Sequence, residues 1–333
     1  MNQLFILAVL AISGASCGPL TFTIGGDPQD QQLQRKTVIR EGGFLGDRVA
    51  MIDVAGMLHT VRKPGVLGRG ESPVGLLHET LQEAAHDSRV KAVILRLNTP
   101  GGTVAASDAM YREVRRFRTS TGKPVVAVLM GVAASGGYYL ACAADTVIAY
   151  PTAVTGSIGV IVQTLSMKPA LERLGIHAEA ITSGRNKDAG SFLSTLTDDH
   201  RAVLRTLVED FYQQFLDVVR EARPDIPPQR FAQVTDGRIL SGADALEAGL
   251  VDRLGDVYDA FDLAKEMAGS RRADLVVYHR PLEYVGSPFA IAPGLVPGAS
   301  GIQTQVNLAQ FNFPESLAGT SVGLYYLWQP GGP

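Results

Sequence analysis

Ser135 stands in the run Ala133-Ala134-Ser135-Gly136-Gly137-Tyr138-Tyr139, between the apolar stretch Pro124–Met130 and the helix-like stretch Tyr138–Ala144. That pattern reads as a strand, a tight turn and a helix start. Such a turn can present a hydroxyl while leaving backbone N–H groups free beside it. Acyl transfer needs both, a nucleophile and donors for the developing oxyanion. Taken alone, Ala-Ser-Gly-Gly is a small-residue turn that lets a helix pack closely, because short motifs recur by chance. The serine has to be judged by its company.

A nucleophilic serine needs a base. The chain has six histidines, His59, His78, His86, His177, His200 and His279, and none sits in a motif with an acidic partner. Lys187 is the other candidate, in the polar, glycine-containing stretch Thr182–Gly190. A lysine amine acts as a base only where burial or cationic neighbours bring its pKa toward neutrality. Alone, Lys187 reads as a solvated surface charge. Between the two lies Thr155-Gly156-Ser157-Ile158-Gly159-Val160, where the Ser157 hydroxyl could orient an uncharged amine. Ahead of them, the strand-like Val93–Leu97 runs into Asn98-Thr99-Pro100-Gly101-Gly102 and then the helical Ala105–Phe117. Glycine N–H groups at such a turn can point at an anion. No Gly-Lys-Ser/Thr follows, which excludes a Walker-type phosphate loop.

These four elements, in this order, resemble the signal peptide peptidase A family. The matching residues are Asn-Thr-Pro-Gly-Gly at 98–102, Ala-Ser-Gly-Gly-Tyr-Tyr at 134–139, Thr-Gly-Ser-Ile-Gly-Val at 155–160 and Ser-Gly-x-x-Lys-Asp at 183–188. A fifth match is Asp236-Gly237-Arg238 with Gly242-x-x-Ala245 and Gly249-Leu250-Val251-Asp252. The resemblance covers roughly residues 48–280 and implies the short form with one copy of the domain. It implies Ser135 as nucleophile, Lys187 as general base and Ser157 as the lysine's partner. The Gly102 and Gly136 N–H groups would form the oxyanion hole, with Gly101 the alternative to Gly102. It further implies a ring-like homo-oligomer in which serine and lysine can come from adjacent protomers. The expected substrates are apolar, unstructured peptides such as remnant signal peptides, bound as an added strand beside the 98–102 turn. No cofactor, metal or nucleotide is implied.

The elements that must position these residues alternate along the chain. Val49–Leu58, Val93–Leu97, Val125–Leu129, Thr146–Ala149, Ile158–Gln163, Ala178–Thr182 and Leu275–His279 read as strands. Val74–His86, Met167–Leu174, Thr197–Arg223, Phe231–Val234, Gly242–Ala248 and Tyr258–Met267 read as helices, and Thr60–Pro73 as a loop. That alternation predicts an α/β layered fold, and the resemblance narrows it to a Clp-protease/crotonase-like stack of ββα units with additional C-terminal helices. In the longest helix, Thr197 is the expected N-cap, and Val203, Leu204, Leu207, Val208, Phe211, Phe215, Val218 and Val219 form an apolar stripe expected to face the core.

Composition and termini complete the expectation. Charged residues make up 19% and the net charge is −3, which leaves no basic footprint for nucleic acid. Residues 1–17 read as an export signal of lipoprotein type, with an uncleaved N-terminal anchor or a plain secretory signal as the alternatives: the apolar run Leu4–Ile12 is too short to span a membrane, and small residues precede Cys17, the candidate lipidation site. Residues 18–47 read as a polar tether, 48–280 as the peptidase domain and 281–333 as a Pro/Gly-rich extension. The domain is thus expected outside the cytoplasm and membrane-associated. From Tyr284 on, the extension carries one charged residue, Glu315, and a run of aromatics. It reads as a coil packed on its own domain, a segment docked on another protomer, or an occupant of the peptide groove. Cys142 reads as a small buried apolar residue. Three rivals to the peptidase remain: a crotonase-like acyl-thioester enzyme, an esterase using His177, His200 or His279 with Ser135, and a non-catalytic lipoprotein scaffold.

Overall fold

The computed structural model describes residues 32–43, 46–61, 71–281, 285–290 and 324–328. Strands β1 (Gln34–Ile39) and β2 (Asp47–Ala55) precede helix α1 (Pro73–His86), whose N-cap Ser72 accepts a hydrogen bond from the Gly75 N–H. β3 (Val90–Thr99) and the short β4 (Gly101–Thr103) lead into α2 (Val104–Thr121), which Thr103 caps and left-handed Gly122 ends. β5 (Val125–Ala134) runs up to Ser135, and α3 (Gly136–Ala141) starts after it. Next come β6 (Thr146–Ala149), β7 (Val154–Gly156), β8 (Ile161–Val162), α4 (Lys168–Arg173) and α5 (Asp198–Ala222). The order closes with α6 (Pro228–Val234), β9 (Ile239–Ser241), α7 (Gly242–Ala248), β10 (Arg253–Leu254), α8 (Val257–Met267), β11 (Ala273–His279) and β12 (Leu324–Leu327).

The main sheet runs β1-β11-β2-β3-β5-β6-β10, with β7 on β5 and β9 on β7; its pairs are parallel except β1 with β11 and β7 with β9. Its central strands are continuous apolar runs because both faces are covered. On β3, Val93, Leu95 and Leu97 face the core under α1, α2 and α3, while Ala92 and Ile94 face the core under α8. The fold is therefore α/β, with a mostly parallel sheet between helical layers. A second, three-stranded sheet, β4-β12-β8, is antiparallel and lies at the site.

Several expectations are corrected. Gln34–Ile39 is not tether: it is an edge strand on β11, favoured by the β-branched Thr37, Val38 and Ile39. The strand expected over Ile158–Gln163 is split. Val154–Gly156 pairs with β5 ahead of Ser157, and only Ile161 and Val162 are extended after it. Ala178–Thr182 forms no strand; Ile181 is 99% exposed, and no neighbouring strand satisfies its backbone. The stripe on α5 is buried only at its C-terminal end, at Phe215, Leu216, Val218 and Val219, while Val203 and Leu207 are exposed. Cys142 is buried, which pushes its thiol up to about 12. Cys17, the export signal and residues 62–70 of the expected loop lie outside the described residues.

Candidate active site

β5 delivers Ser135 to the end of the sheet, and the delivery requires an irregular register. The β3–β5 pairing shifts between Leu97 and Thr99, where the Asn98 side-chain oxygen accepts from the Val132 N–H at 3.1 Å. Ser135 then adopts φ 53°, ψ −115°, and its N–H bonds the Gly156 carbonyl at 2.8 Å. Among the described residues, only Ser135 and Ser157 (φ 50°) are non-glycine residues with positive φ. Such conformations cost about 1–3 kcal/mol each and persist where the surroundings impose them. Here they fall on the two serines picked out by sequence.

The Ser135 Oγ is buried and has no hydrogen-bond partner. Around it the backbone is packed so closely that glycine is required. A Cβ on Gly136 would lie 2.3 Å from the Ser107 Oγ, and one on Gly101 (φ 98°) would lie 2.7 Å from the Gly136 nitrogen and 2.1 Å from the Tyr326 carbonyl oxygen. Thr99 fixes this turn: its Oγ donates to the Gly56 carbonyl at 2.5 Å and accepts from the Gly101 N–H at 3.1 Å. Leu58 binds one edge of β4, taking the Gly101 carbonyl and giving its own carbonyl to the Thr103 N–H. Strand alternation then turns the Gly102 N–H and C=O to the opposite edge, where β12 lies.

Ser157 follows left-handed Gly156 and is held by its N–H to the Arg238 carbonyl at 2.7 Å. It lines an open cleft of about 420 Å³ with Val160, Ile161, Tyr212, Asp236 and Leu327. Lys187 is not brought to Ser135. It is exposed, in a turn closed by its N–H to the Gly184 carbonyl at 3.0 Å. The loop around it is anchored by His200, which sequence reading weighed only as a base for the esterase rival. Its ring is 3% exposed; Nε2 lies 2.8 Å from the Arg185 carbonyl and 3.5 Å from Asp188, and Nδ1 accepts from the Thr197 N–H at 3.5 Å. Thr197 returns the favour by accepting from the His200 N–H, a capping box whose sequence signal is Thr-x-x-His. The Ser194 hydroxyl donates to Asp188 at 2.7 Å and holds its carboxyl below the usual range.

The esterase rival needs a histidine on Ser135, and none of the three candidates touches it. His200 serves the lysine loop, His279 contacts the Arg280 carbonyl through Nδ1 at 2.8 Å, and His177 is exposed.

A strained, glycine-backed serine thus stands where a parallel strand of an α/β domain ends, beside an edge that holds an added strand. The chain belongs to peptidase family S49, the signal peptide peptidase A family; the family profile matches residues 118–271. It is 30% identical over 285 residues to a putative protease of Synechocystis sp., an alignment covering 84% of this chain and 96% of the relative. It is 32% identical over 231 residues to Protease 4 of Salmonella typhi, across 68% of this chain and 37% of that protein. A putative signal peptide peptidase SppA of Enterococcus faecium is 29% identical over 238 residues, across 72% of this chain and 69% of the relative. The chain thus spans 37% of the length of a long relative such as Protease 4.

Proposed function

We propose that this protein is a membrane-associated serine endopeptidase working as a homo-oligomer, with Ser135 as nucleophile and Lys187 of the partner subunit as general base. The observation that carries this reading is the state of Ser135: strained, buried and without a partner for its Oγ, while Lys187 stands exposed. The surface around Lys187 favours an intermolecular dyad. Leu174, Ile176, Ile181, Phe192 and Val203 are all at least 40% exposed along the same stretch of chain. Apolar surface of this kind marks interfaces. Docking it on a neighbour removes water from the lysine, which is what makes an amine a base.

The chemistry then runs as follows. A peptide lies extended along β4. The neutral Lys187 amine, oriented by Ser157, takes the Ser135 proton as Oγ attacks the scissile carbonyl. The Gly102 and Gly136 N–H groups receive the oxyanion, at roughly 3 kcal/mol per donor; the outward-facing N–H of Gly102 favours it over Gly101. The ammonium protonates the leaving amine, and water, deprotonated by the same lysine, releases the acyl group. Apolar, unstructured peptides such as remnant signal peptides suit a groove edged by Val160, Ile161 and Leu327. Export and lipidation at Cys17 would hold the domain at the membrane face where such remnants arise.

Ser135→Ala and Lys187→Ala are each expected to abolish hydrolysis of an apolar fluorogenic peptide with the fold intact. Mixed one to one and reassembled, the two inactive chains should recover about a quarter of wild-type activity, because in a ring with head-to-tail contacts that fraction of sites pairs an intact serine with an intact lysine. No recovery from well-mixed oligomers refutes the shared dyad. Turnover in either single variant refutes the assignment itself.

A further inference from the structure

One peptide group ties the two strained serines together. The Gly156 carbonyl accepts from the Ser135 N–H at 2.8 Å, and the N–H on the other side of the same Gly156–Ser157 peptide donates to the Arg238 carbonyl at 2.7 Å. A hydrogen-bonded line thus runs from the nucleophile turn through Ser157 to Arg238, and bonds in such a chain strengthen one another. The approach is close: a Cβ on Gly156 (φ 78°) would stand 2.9 Å from the Arg238 carbonyl oxygen. Beyond Arg238 the chain continues as β9, antiparallel to β7, with Ile239 opposite Gly156 and Ser241 opposite Val154.

The Arg238 carbonyl is fixed by its own side chain. Nε and Nη2 donate to the two carboxylate oxygens of Asp236 at 2.8 and 2.6 Å, and the Arg238 N–H donates to Asp236 Oδ1 at 3.1 Å. A guanidinium fork on a carboxylate is the strong, directional form of an ion pair. It closes over Gly237, whose φ of 92° lets the chain turn back on itself. Hydrogen bonding from Arg238 holds the Asp236 carboxyl below its usual range. Buried Thr235 moors the turn from behind: its hydroxyl donates to the Phe231 carbonyl at 2.8 Å, and its carbonyl accepts from the Tyr212 hydroxyl on α5. Both partners of the pair are about half exposed, and a pair so exposed adds little to the stability of the whole domain. Its effect is local, on the carbonyl that the turn presents.

We infer that Asp236 and Arg238 are positioning residues: their ion pair sets the Arg238 carbonyl, which holds the Gly156–Ser157 peptide and through it both Ser135 and Ser157. This rests on the proposed roles of those two serines. It gives the Asp-Gly-Arg stretch, which the mechanism leaves unused, a task in that mechanism. Without the clamp the Gly156–Ser157 peptide can rotate, which relaxes the positive φ of Ser157 and draws the Gly156 carbonyl away from Ser135. Neither movement touches the β4 edge, so the chemical step suffers and peptide binding does not.

The full-length chain tests this through three substitutions. Arg238→Ala and Asp236→Ala break the clamp and keep the backbone. Each is expected to lower kcat about fivefold at unchanged KM, the upper worth of an exposed charged pair. Asp236→Asn keeps an oxygen that can accept from the Arg238 N–H, and should stay within about twofold of wild type. Hydrogen exchange followed by mass spectrometry needs no catalysis: the Ser135 and Ser157 amides should exchange about fivefold faster in both alanine variants, while β3 and α5 exchange as in wild type. Unchanged exchange at both amides overturns the clamp. Faster exchange with wild-type kcat overturns the positioning role, as does faster exchange throughout the domain, which would make the pair structural only. A loss in Asp236→Asn as deep as in Asp236→Ala overturns the part given to the turn geometry. Turnover retained in Lys187→Ala would instead refute the proposed base, and exchange at the two serine amides would still decide the clamp.

Discussion

His200 offers a test of how the lysine loop is held. Replacing it with alanine removes the Nε2 contact to the Arg185 carbonyl at 2.8 Å and the Nδ1 acceptor for the Thr197 N–H at 3.5 Å. It also removes the contact at 3.5 Å to Asp188, the neighbour of Lys187 in sequence. Two net hydrogen bonds are worth about 1 kcal/mol each, so the ordered loop loses roughly 2 kcal/mol. By the tenfold-per-1.4 kcal/mol rule, the fraction of chains with Lys187 in place falls by up to about thirtyfold. The fold should survive, because α5 is anchored at its other end by Phe215, Leu216, Val218 and Val219. Steady-state kinetics are then expected to show kcat reduced by that factor with KM nearly unchanged, since the proposed mechanism puts the base on this loop and the substrate on the β4 edge. His200→Gln keeps a donor and an acceptor at the same place, and is expected to return activity to within about fivefold of wild type. Wild-type kcat in His200→Ala would show that the loop does not depend on this ring. Complete loss in both variants, with the fold intact by circular dichroism, would instead make His200 the base and revive the triad.

Two further outcomes are expected. Asp87 ties β1 and β2 to the end of α1, accepting from Arg48 at 2.6 Å and Arg35 at 3.1 Å. Burial raises its pKa, but hydrogen bonds from Arg48 and the Arg89 N–H, with the charges of Arg48 and Arg35, outweigh this, and the net shift is downward. A carboxyl depressed in the folded state stabilises above its unfolded value of about 3.9 and loses that contribution as pH falls through the folded value. Asp87→Asn should therefore be less stable than wild type at pH 7 in urea unfolding and approach it below about pH 3; a constant difference across that range would refute the linkage. At the N-terminus, Cys17→Ser should shift the protein from the membrane fraction to the soluble one, and mass spectrometry of the wild-type chain should find a diacylated Cys17 as its first residue; recovery of an intact Met1 peptide would refute lipidation.

What could be read from the sequence was what is encoded locally. The strand-turn-helix around Ser135, the turn at Asn98–Gly102 and the Thr197 cap announce themselves within a few residues, because glycine, small residues and capping oxygens act over one turn of chain. The α/β layering was legible too, in the alternation of apolar strand-like runs with helical stretches. Pairings made by distant segments were not. Gln34–Ile39 is polar enough to pass for a tether, and becomes a strand only because the β11 edge is there to take it. Ala178–Thr182 has the apolar content of a strand but no edge beside it, and stays irregular. The half-exposed stripe of α5 is the same lesson in a helix: 3.6-residue periodicity identifies an apolar face, but not whether this chain or another covers it.

The tail joins these observations. Leu324-Tyr325-Tyr326-Leu327 is four residues in a stretch rich in proline and glycine, too short to announce a strand. Its pairing with β4 and β8 supplies what such a stretch lacks, two open edges and an aromatic slot. An edge left unpaired beside Ser135 would invite any extended chain. The unburied half of α5 and the exposed lysine loop then stand for the second incomplete surface of this chain. The first is filled from within by β12, and the second is the one a neighbouring copy would fill, bringing Lys187 to a serine that lacks a partner in its own chain.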